Sequence, residues 1–250
     1  MKKKRKLNKK RSLLLVGILI FLILFLLSVC KIFNYLSDNK QNRKIQKVVS
    51  EAITIIPDDK LNELYEVNFQ SLKEQNSDTV GYLKVDNTNI DYVIVKSNDN
   101  SYYLDHNFNK DKNVSGWVFA DYRNKFDGND KNIIIYGHNT WNGSMFGSLH
   151  KVLDKAWYEN SDNHKIMFIT EEGIHYYQVF STYTITSEDY YITTSFKSDS
   201  EFETFIKSLR FRSIYDYNVD VGKDDKMLTL STCSGDGKKR VVLHAKLIDN

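Results

Sequence analysis

Leu13 to Cys30 form an uninterrupted run of eighteen residues without a charged side chain, and this run restricts the chain more than any other feature. At about 1.5 Å per residue, a helix of that length just covers a bilayer hydrocarbon core of about 30 Å. The apolar part of a cleaved signal peptide is usually about 7 to 15 residues, and no small-x-small cleavage site follows this run. We therefore expect residues 13–30 to be a transmembrane signal-anchor helix. A cleaved signal peptide is the alternative.

The segment before the run is strongly basic. Residues 1–11 carry eight Lys or Arg and no acidic side chain, so the positive-inside rule predicts that residues 1–12 stay in the cytoplasm. The chain from Lys31 onward is then exported, which makes the protein a single-pass protein of the cell membrane. The whole chain has a formal charge of +3, and without those eight residues and Lys31 the exported part has a charge of −6. This charge argues against a nucleic-acid partner.

Residues 31–75 have a helical pattern of apolar side chains. The apolar positions form two sets at helical spacing on either side of Pro57, which is the only proline. This pattern predicts two amphipathic helices, with Asp58 or Asp59 as the N-cap of the second helix. We expect these helices to form a stalk that packs onto the domain formed by residues 76–250.

From Val80 onward the sequence changes to short β-rich runs separated by clusters of Asn, Asp, Gly and Ser. About eight such strands in one domain predict a mainly β fold, a closed or nearly closed β-barrel, because closure removes exposed strand edges. One helix over residues 200–209, capped by Ser198 or Asp199, is expected in the long loop before the penultimate strand. The predicted strands are GYLKV, DYVIVK, GWVFA, NIIIYGH, HKIMFIT, HYYQVFSTYTI, KMLTLSTC and RVVLHAKLI.

The last two strands specify their own register. When Cys233 is set opposite Arg240, Leu230 faces Leu243 on a side that is typical of a core. A slip by one residue would expose such side chains, at a cost of roughly 1 to 3 kcal/mol each. Cys233 and Arg240 then share the second, more polar face at the end of a strand. His244 lies on that face too, and we expect it to be a solvated histidine.

Cys233 is the only cysteine outside the predicted span, and Cys30 lies too far from it for a disulfide to be expected. A lone thiol in an exported domain suggests a nucleophile, and a buried core cysteine is the alternative. His138 ends a predicted strand after Gly137, which lets the backbone bend, and it is the best placed of the six histidines to act as a base. Arg240 can stabilise an oxyanion, or it is a surface arginine in a salt bridge. Together these residues predict a thiol acyl transferase or peptidase.

The other motifs suggest packing and turns. Tyr102, Tyr103, Tyr176 and Tyr177 are expected to pack in the barrel, not to bind a ligand. FDGNDK lacks the full ligand spacing of a calcium loop and is interpreted as a turn. We expect neither a metal site nor a cofactor.

With TLSTC, an arginine at the start of the final strand, and YGH, the chain resembles the sortases, which are membrane-anchored transpeptidases of Gram-positive bacteria. The segments VGYLKVDNTNIDYVIVKSNDNSYYLDHNF and SGWVFADYRN look like those of class B sortases. The resemblance covers nearly all of the exported chain, and it implies an eight-stranded sortase-type β-barrel with N-terminal helices.

The resemblance also implies a reaction and its residues. A C-terminal sorting signal of the general form Asn-Pro-x-Thr-x would be cleaved after its threonine through a thioacyl-enzyme, and a peptidoglycan amine would then take the acyl group. The expected partners are surface proteins with such a signal and a peptidoglycan precursor or cross-bridge amine. The alternatives are a thiol hydrolase and a membrane-tethered adhesion or haem-binding module. The implied catalytic residues are His138, Cys233 and Arg240, and the implied substrate-binding residues are Tyr136, Asn139, Tyr191, Ile192 and Ser231.

Overall fold

The computed structural model describes residues 9–58, 62–186, 188, 190–233 and 239–248. The chain divides into two compact units, Met1–Gln41 and Asn42–Asn250. Helix α1 extends over Lys9–Ser50, so the predicted span at residues 13–30 lies inside a longer helix. The apolar side chains of that span are exposed, and an 18-residue window of the helix has a mean hydropathy of 3.3. By length and composition, α1 could cross a membrane.

The segment after α1 differs from the predicted pair of amphipathic helices. The chain forms an antiparallel hairpin of β1 (Ile53–Asp58) and β2 (Asn62–Val67), followed by the short helix α2 (Phe69–Gln75). The first apolar set mostly lies within α1, which includes Ile45, Val48 and Val49. The prediction of a single second helix was wrong, because short apolar runs match helical and strand spacing equally well. Pairing with a second strand then decides the conformation.

The expected helix boundary at Pro57 and the expected helix cap at Asp58 were also wrong, because both residues lie in β1. Pro57 lies in β1 opposite Glu63, and a two-stranded sheet tolerates proline because each strand has a free edge. Helix α2 is capped by Asn68, whose side chain accepts a hydrogen bond from the Ser71 N–H at 3.0 Å. Asp59, which was one of the expected caps, lies outside the described residues.

The predicted barrel is confirmed, with eight strands in the closed order β10-β8-β7-β3-β4-β5-β6-β9. The pairs β4–β5 and β6–β9 are parallel and the other neighbours are antiparallel. Alternating side chains of these strands fill the interior, as a small barrel requires. The strands are β3 (Thr79–Val85), β4 (Ile90–Val95), β5 (Phe119–Ala120), β6 (Asn132–His138), β7 (Lys165–Thr170), β8 (Gly173–Thr186), β9 (Met227–Cys233) and β10 (Lys239–Ile248).

Two further helices lie between the strands. The four-residue helix α3 (Lys155–Tyr158) precedes β7, and α4 (Asp199–Arg212) precedes the penultimate strand as predicted. The Ser198 side chain caps α4 by accepting a hydrogen bond from the Glu201 N–H at 3.2 Å. Helix α4 buries one apolar stripe, which consists of Phe202, Ile206 and Leu209.

The stripe of α4 covers the outer face of the barrel wall. It packs with Phe180, Tyr183 and Ile185 of β8 and with Val242 of β10 in a second apolar cluster outside the main core. On the face of β9 and β10 that the sequence suggested to be polar, the side chains are therefore buried at Thr229, Ser231, Val242 and His244.

The predicted register of the last hairpin is confirmed over its described pairs. Leu243 pairs with Leu230, Val242 pairs with Ser231 and His244 pairs with Thr229. The expectation for His244 was wrong, because this residue has no exposed surface. The covering helix, which the hairpin itself does not reveal, accounts for the difference.

The tyrosines that were expected to pack make packing contacts, and FDGNDK forms a turn as expected. Tyr103 and Tyr177 are buried, Tyr102 stacks on His106, and Tyr176 lies under the Lys165 ammonium group. In FDGNDK, the Asp130 carboxylate accepts hydrogen bonds from two backbone N–H groups of the same turn. Within the described part of the chain, no group of three or more His, Cys, Asp or Glu could hold a metal ion.

Candidate active site

The ends of two parallel strands form the centre of the site. In the β6–β9 pair, Tyr136 lies opposite Ser231 and His138 lies opposite Cys233. Neighbouring strands are about 4.8 Å apart, so the backbones of residues 138 and 233 are adjacent at one end of the barrel. The pairing joins residues that are 95 positions apart in the chain.

Gly137 fixes the position of the end of β6 by close packing. A Cβ atom at this residue would lie 2.7 Å from Cγ of the buried Phe146 ring. Its φ is not positive, so the residue is needed for lack of a side chain and not for the bend that the sequence suggested. The ring of Phe146 thereby supports the backbone directly before His138.

The imidazole of His138 is oriented by a backbone carbonyl. Its Nε2 atom lies 2.7 Å from the carbonyl oxygen of Leu104, the last residue of a short 3-10 helix (Tyr102–Leu104) after β4. Since a carbonyl oxygen only accepts, Nε2 donates and carries the hydrogen in the neutral ring. Nδ1 is then the nitrogen that can gain or release a proton.

Arg240 is oriented through a buried tyrosine. Its Nη1 donates a hydrogen bond to the hydroxyl of Tyr191 at 3.0 Å, and that hydroxyl lies 2.8 Å from Oγ of Ser231. Tyr191 has no exposed surface and belongs to a short 3-10 helix over Tyr190–Ile192. The Tyr191 hydroxyl therefore joins Arg240 on β10 to Ser231 on β9.

An ion pair between the buried Asp121 and the partly exposed Arg123 holds the 190–192 segment against the barrel. The Arg123 guanidinium donates to the Asp121 carboxylate at 2.8 and 2.7 Å and to the carbonyl of Ile192 at 2.8 Å. The same carboxylate accepts hydrogen bonds from the Tyr136 hydroxyl at 2.8 Å and from the Asn100 amide at 2.9 Å. These bonds link the segment that bears Tyr191 to the strand that bears His138.

The charges of this pair are well compensated. Burial alone raises the pKa of the Asp121 carboxyl, but the hydrogen bonds from Arg123 and Tyr136 outweigh it and leave the pKa below its ordinary value. Burial and the adjacent carboxylate raise the pKa of the Tyr136 hydroxyl. Asp121 thus stays ionised and Tyr136 stays a hydrogen-bond donor at neutral pH.

The structure brings most of the predicted residues to one barrel end. His138 and Tyr136 on β6, Cys233 and Ser231 on β9, and Arg240 on β10 lie on three neighbouring strands. Asn139 follows β6 directly and forms an isolated backbone bridge with Met145. The side chains of Tyr191 and Ser231 are buried, whereas that of Ile192 is half-buried.

Three supporting residues were missed from the sequence. The Leu104 carbonyl has no signal in any side-chain pattern, since every residue has a carbonyl. Asp121 and Arg123 lie within SGWVFADYRN. Nothing in that segment indicates that Arg123 donates to the carbonyl of Ile192 or that Asp121 accepts from Tyr136.

Below the site, His244 is fixed in its neutral form. Thr229 Oγ1 donates to Asn132 Oδ1 at 2.7 Å, so it accepts from His244 Nδ1 at 2.9 Å. His244 Nε2 then accepts from the Tyr183 hydroxyl at 2.9 Å. Burial lowers the pKa of His244 to about 3, and both ring nitrogens have partners. This histidine therefore supports the wall and does not transfer protons at neutral pH.

The arrangement combines a nucleophile position, a proton carrier and an oriented cation at one strand end. Such a set can carry out acyl transfer, in which a thiolate attacks a carbonyl, an imidazole moves a proton and a guanidinium stabilises the developing oxyanion. A catalytic base is usually oriented by a second group, and the Leu104 carbonyl orients His138 in this way.

Comparisons with known proteins show the family of the chain. A family model described as a sortase domain matches residues 83–248. Sortase B of Listeria monocytogenes is 37% identical over 257 residues, which cover 99% of each chain. Sortase B of Staphylococcus aureus is 31% identical over 96% of this chain and 98% of its own. The crystal structure of sortase B from Bacillus anthracis in complex with AAEK1 superposes with a TM-score of 0.75 at 32% identity, and covers 86% of this chain and all of that one.

Proposed function

The chain belongs to the sortase family as a class B cysteine transpeptidase of cell-wall sorting, and we propose that it cleaves an Asn-Pro-x-Thr-x signal with Cys233, His138 and Arg240. The observation that carries the assignment of residues is the β6–β9 register, which pairs His138 with Cys233. The acyl acceptor is an amine of a peptidoglycan precursor or cross-bridge.

In the first half-reaction, the Cys233 thiol gives its proton to Nδ1 of His138, and the resulting thiolate attacks the carbonyl carbon of the signal's threonine. A sulfur–carbon bond forms, and the charge on the carbonyl oxygen is stabilised by Arg240, which Tyr191 holds in place. The peptide carbon–nitrogen bond then breaks, and the departing amine takes a proton from Nδ1 of His138. The product is a thioester on Cys233.

In the second half-reaction, the wall amine attacks the thioester carbonyl and gives a proton to Nδ1 of His138. A new amide bond forms, the sulfur–carbon bond breaks, and the thiolate is regenerated. The surface protein is then joined covalently to peptidoglycan. Neither step needs a metal or a redox cofactor.

The substrate groove is proposed along the 190–195 segment and the end of β6. Ile192 and Asn139 have partly exposed side chains that can contact the signal. Tyr136, Tyr191 and Ser231 act from below this surface, because their hydroxyls are engaged in the hydrogen bonds described above.

The proposed reaction also requires one orientation of the chain in the membrane. The basic N-terminal tail lies in the cytoplasm, α1 anchors the chain, and the barrel works outside, where the wall amine is found.

The decisive experiment traps the acyl-enzyme. The full chain in detergent micelles is incubated with threonine-containing pentapeptides, and the adduct is mapped by mass spectrometry. We expect a thioester at Cys233 whose mass identifies the motif, with none in Cys233→Ala. An adduct on another residue, or an unchanged adduct in Cys233→Ala, would refute the assignment.

A second measurement separates transpeptidation from the alternative hydrolysis. A short glycine peptide is added to the same reaction, and the products are resolved by chromatography. We expect the amide product to dominate, and we expect His138→Gln to lower its rate at least about 100-fold, since glutamine keeps an N–H for the Leu104 carbonyl but transfers no proton. Release of free acid alone would indicate a thiol hydrolase.

A further inference from the structure

The three tryptophans of the chain have very different surroundings. Trp117 and Trp157 are buried, and their indole N–H groups donate to the backbone carbonyls of Val93 at 2.8 Å and Asp86 at 3.1 Å. Trp141 is 94% exposed. A ring that is almost fully in water has most of its face available to a ligand, and the setting of Trp141 decides which ligand suits it.

The loop that carries Trp141 is held tightly by hydrogen bonds. Thr140 Oγ1 donates to the Ser144 carbonyl at 2.5 Å, and Asn142 Oδ1 accepts from the Ser144 N–H at 3.1 Å and Oγ at 2.7 Å. From outside the loop, the Asn89 amide donates to the Gly143 carbonyl at 3.1 Å. A ring presented on such a loop loses little conformational entropy when it binds a ligand.

The base of the loop is anchored in the barrel next to His138. The carbonyl of His138 accepts from the N–H groups of Thr140 at 3.1 Å and Phe146 at 3.0 Å, and the Tyr92 hydroxyl accepts from the Met145 N–H at 2.9 Å. Trp141 therefore stands three residues beyond the proposed proton carrier, on a support that is shared with it.

The chemistry around Trp141 is neutral and rich in amides. No Lys, Arg, Asp or Glu occurs between His138 and His150. The side-chain amide of Asn139 and the Nδ2 group of Asn142 have no hydrogen-bond partner among the residues that the structure describes.

This chemistry discriminates between classes of ligand. An anionic lipid surface would be matched by basic side chains, which this loop lacks. A protein partner would be matched by a broader apolar patch. A sugar ring offers apolar C–H faces to an aromatic ring and hydroxyls to neighbouring amides. This matches an exposed indole that follows Asn139 by two residues and precedes Asn142, whose Nδ2 group can still donate.

We propose that Trp141, together with the amides of Asn139 and Asn142, forms a subsite for a sugar ring of the peptidoglycan component that supplies the amine. The inference rests on the proposed function, because it concerns the acceptor of the second half-reaction. The pyranose ring stacks on the indole, and the attached peptide amine reaches the thioester beside His138. Trp141 acts on acceptor binding only, so its loss leaves formation of the thioester unchanged.

A comparison of two acceptors tests this subsite in the full chain in detergent micelles. One acceptor is a short peptide amine, and the other is the same peptide joined to the wall disaccharide. For Trp141→Ala, we expect the KM of the disaccharide acceptor to rise about tenfold, with the KM of the short amine and the rate of thioester formation unchanged. Trp141→Phe should restore part of the loss.

The matched control is Phe211→Ala, which removes another exposed aromatic ring, 91% accessible, at the end of α4. It should leave both acceptors unaffected. If Trp141→Ala impairs both acceptors equally, or neither, the subsite is refuted while the thioester assay still reports on the proposed function separately.

Binding of the acceptor to Trp141 can also be measured by fluorescence, without catalytic turnover. Since Trp117 and Trp157 are buried, acrylamide quenching of fluorescence reports mainly on Trp141. We expect the disaccharide-peptide to protect Trp141 from quenching and the peptide alone to give no protection. Protection by uncharged phosphatidylcholine vesicles in the absence of any sugar would instead assign Trp141 to the membrane surface and overturn the proposal.

Discussion

The buried hydroxyl of Tyr191 links Arg240, a proposed catalytic residue, to Ser231 of the barrel wall. Its hydroxyl accepts from Arg240 and contacts Ser231, while its ring is fully buried and lies edge-on to His244. A buried hydroxyl with two partners has little freedom to move, so it holds the guanidinium in one orientation. Arg240 lies 49 positions from Tyr191 in the sequence, and no local pattern indicates their contact.

Removal of this hydroxyl should affect catalysis more than folding. In Tyr191→Phe, Arg240 loses the acceptor that orients it, and we expect kcat/KM for transpeptidation to fall about tenfold, less than when a direct oxyanion donor is lost. The free energy of unfolding should fall by about 1 kcal/mol for the lost hydrogen bonds. Steady-state kinetics with a sorting peptide and urea unfolding measure the two effects.

The matched control is Tyr183→Phe, which removes the hydroxyl that donates to His244 at 2.9 Å on the other side of the same histidine. It should cost about 1 to 3 kcal/mol of stability, since Nε2 of a buried histidine loses its partner, but it should leave kcat/KM unchanged. Equal losses of activity in both variants would mean that Tyr191 acts only through packing.

At the scale of elements, α4 covers the outer face of the barrel wall where β8 and β10 lie, so that this part of the wall is buried on both faces. Its apolar stripe covers β8 and β10 on the face opposite the barrel interior. Because this cover excludes water, the histidine beneath it has a pKa of about 3 instead of 6.5. The pH dependence of the free energy of unfolding therefore reports whether α4 keeps His244 buried.

The sign of that dependence follows from the lowered pKa. Below pH 6.5 the unfolded chain binds a proton at His244 and the folded chain does not, so stability from this residue is complete above pH 6.5 and is lost as the pH falls towards 3. The loss is about 1.4 kcal/mol per pH unit.

We expect His244→Gln to be less stable than the wild type at pH 7.5, since it disturbs the bonds to Thr229 and Tyr183. The difference should narrow by about 1.4 kcal/mol for each pH unit below 6.5, because only the wild type carries this titrating group. Urea titrations at pH 7.5, 6.5 and 5.5, followed by tryptophan fluorescence, measure it. A difference that stays constant over this range would contradict the burial of His244 under α4.

Some elements of this fold can be predicted from the sequence and others cannot. The eight barrel strands are predictable because alternation and turn residues are local, and the last hairpin fixes its own register through Leu230 and Leu243. The hairpin of β1 and β2 is not, because its short apolar runs fit a helix equally well and only mutual pairing decides. The placement of His138, Cys233 and Arg240 at strand ends can be predicted from local patterns, whereas the contacts of Asp121 and Arg123 depend on long-range packing.

At the scale of the whole molecule, the charge distribution suits a protein with its ends on opposite sides of a membrane. Eight basic residues precede the apolar run, and the chain after Lys31 has a formal charge of −6. Positively charged segments are retained on the cytoplasmic side, so the charge difference favours one orientation. A transpeptidase that uses a wall amine works only in that orientation.

Protoplasts of a Gram-positive host that makes the full chain with an N-terminal epitope provide the test. External protease should digest the barrel and leave the epitope protected on a membrane-bound fragment. When the eight basic residues of the tail are replaced by glutamine, we expect a larger fraction of barrels to be protected, since the run of residues 13–30 still inserts but the orienting charge is gone. A control that replaces eight exposed Lys residues of the barrel should insert like the wild type, because charges far from the span have little influence on orientation. A barrel released into the medium without its first 30 residues would show that the run is a cleaved signal peptide and not an anchor.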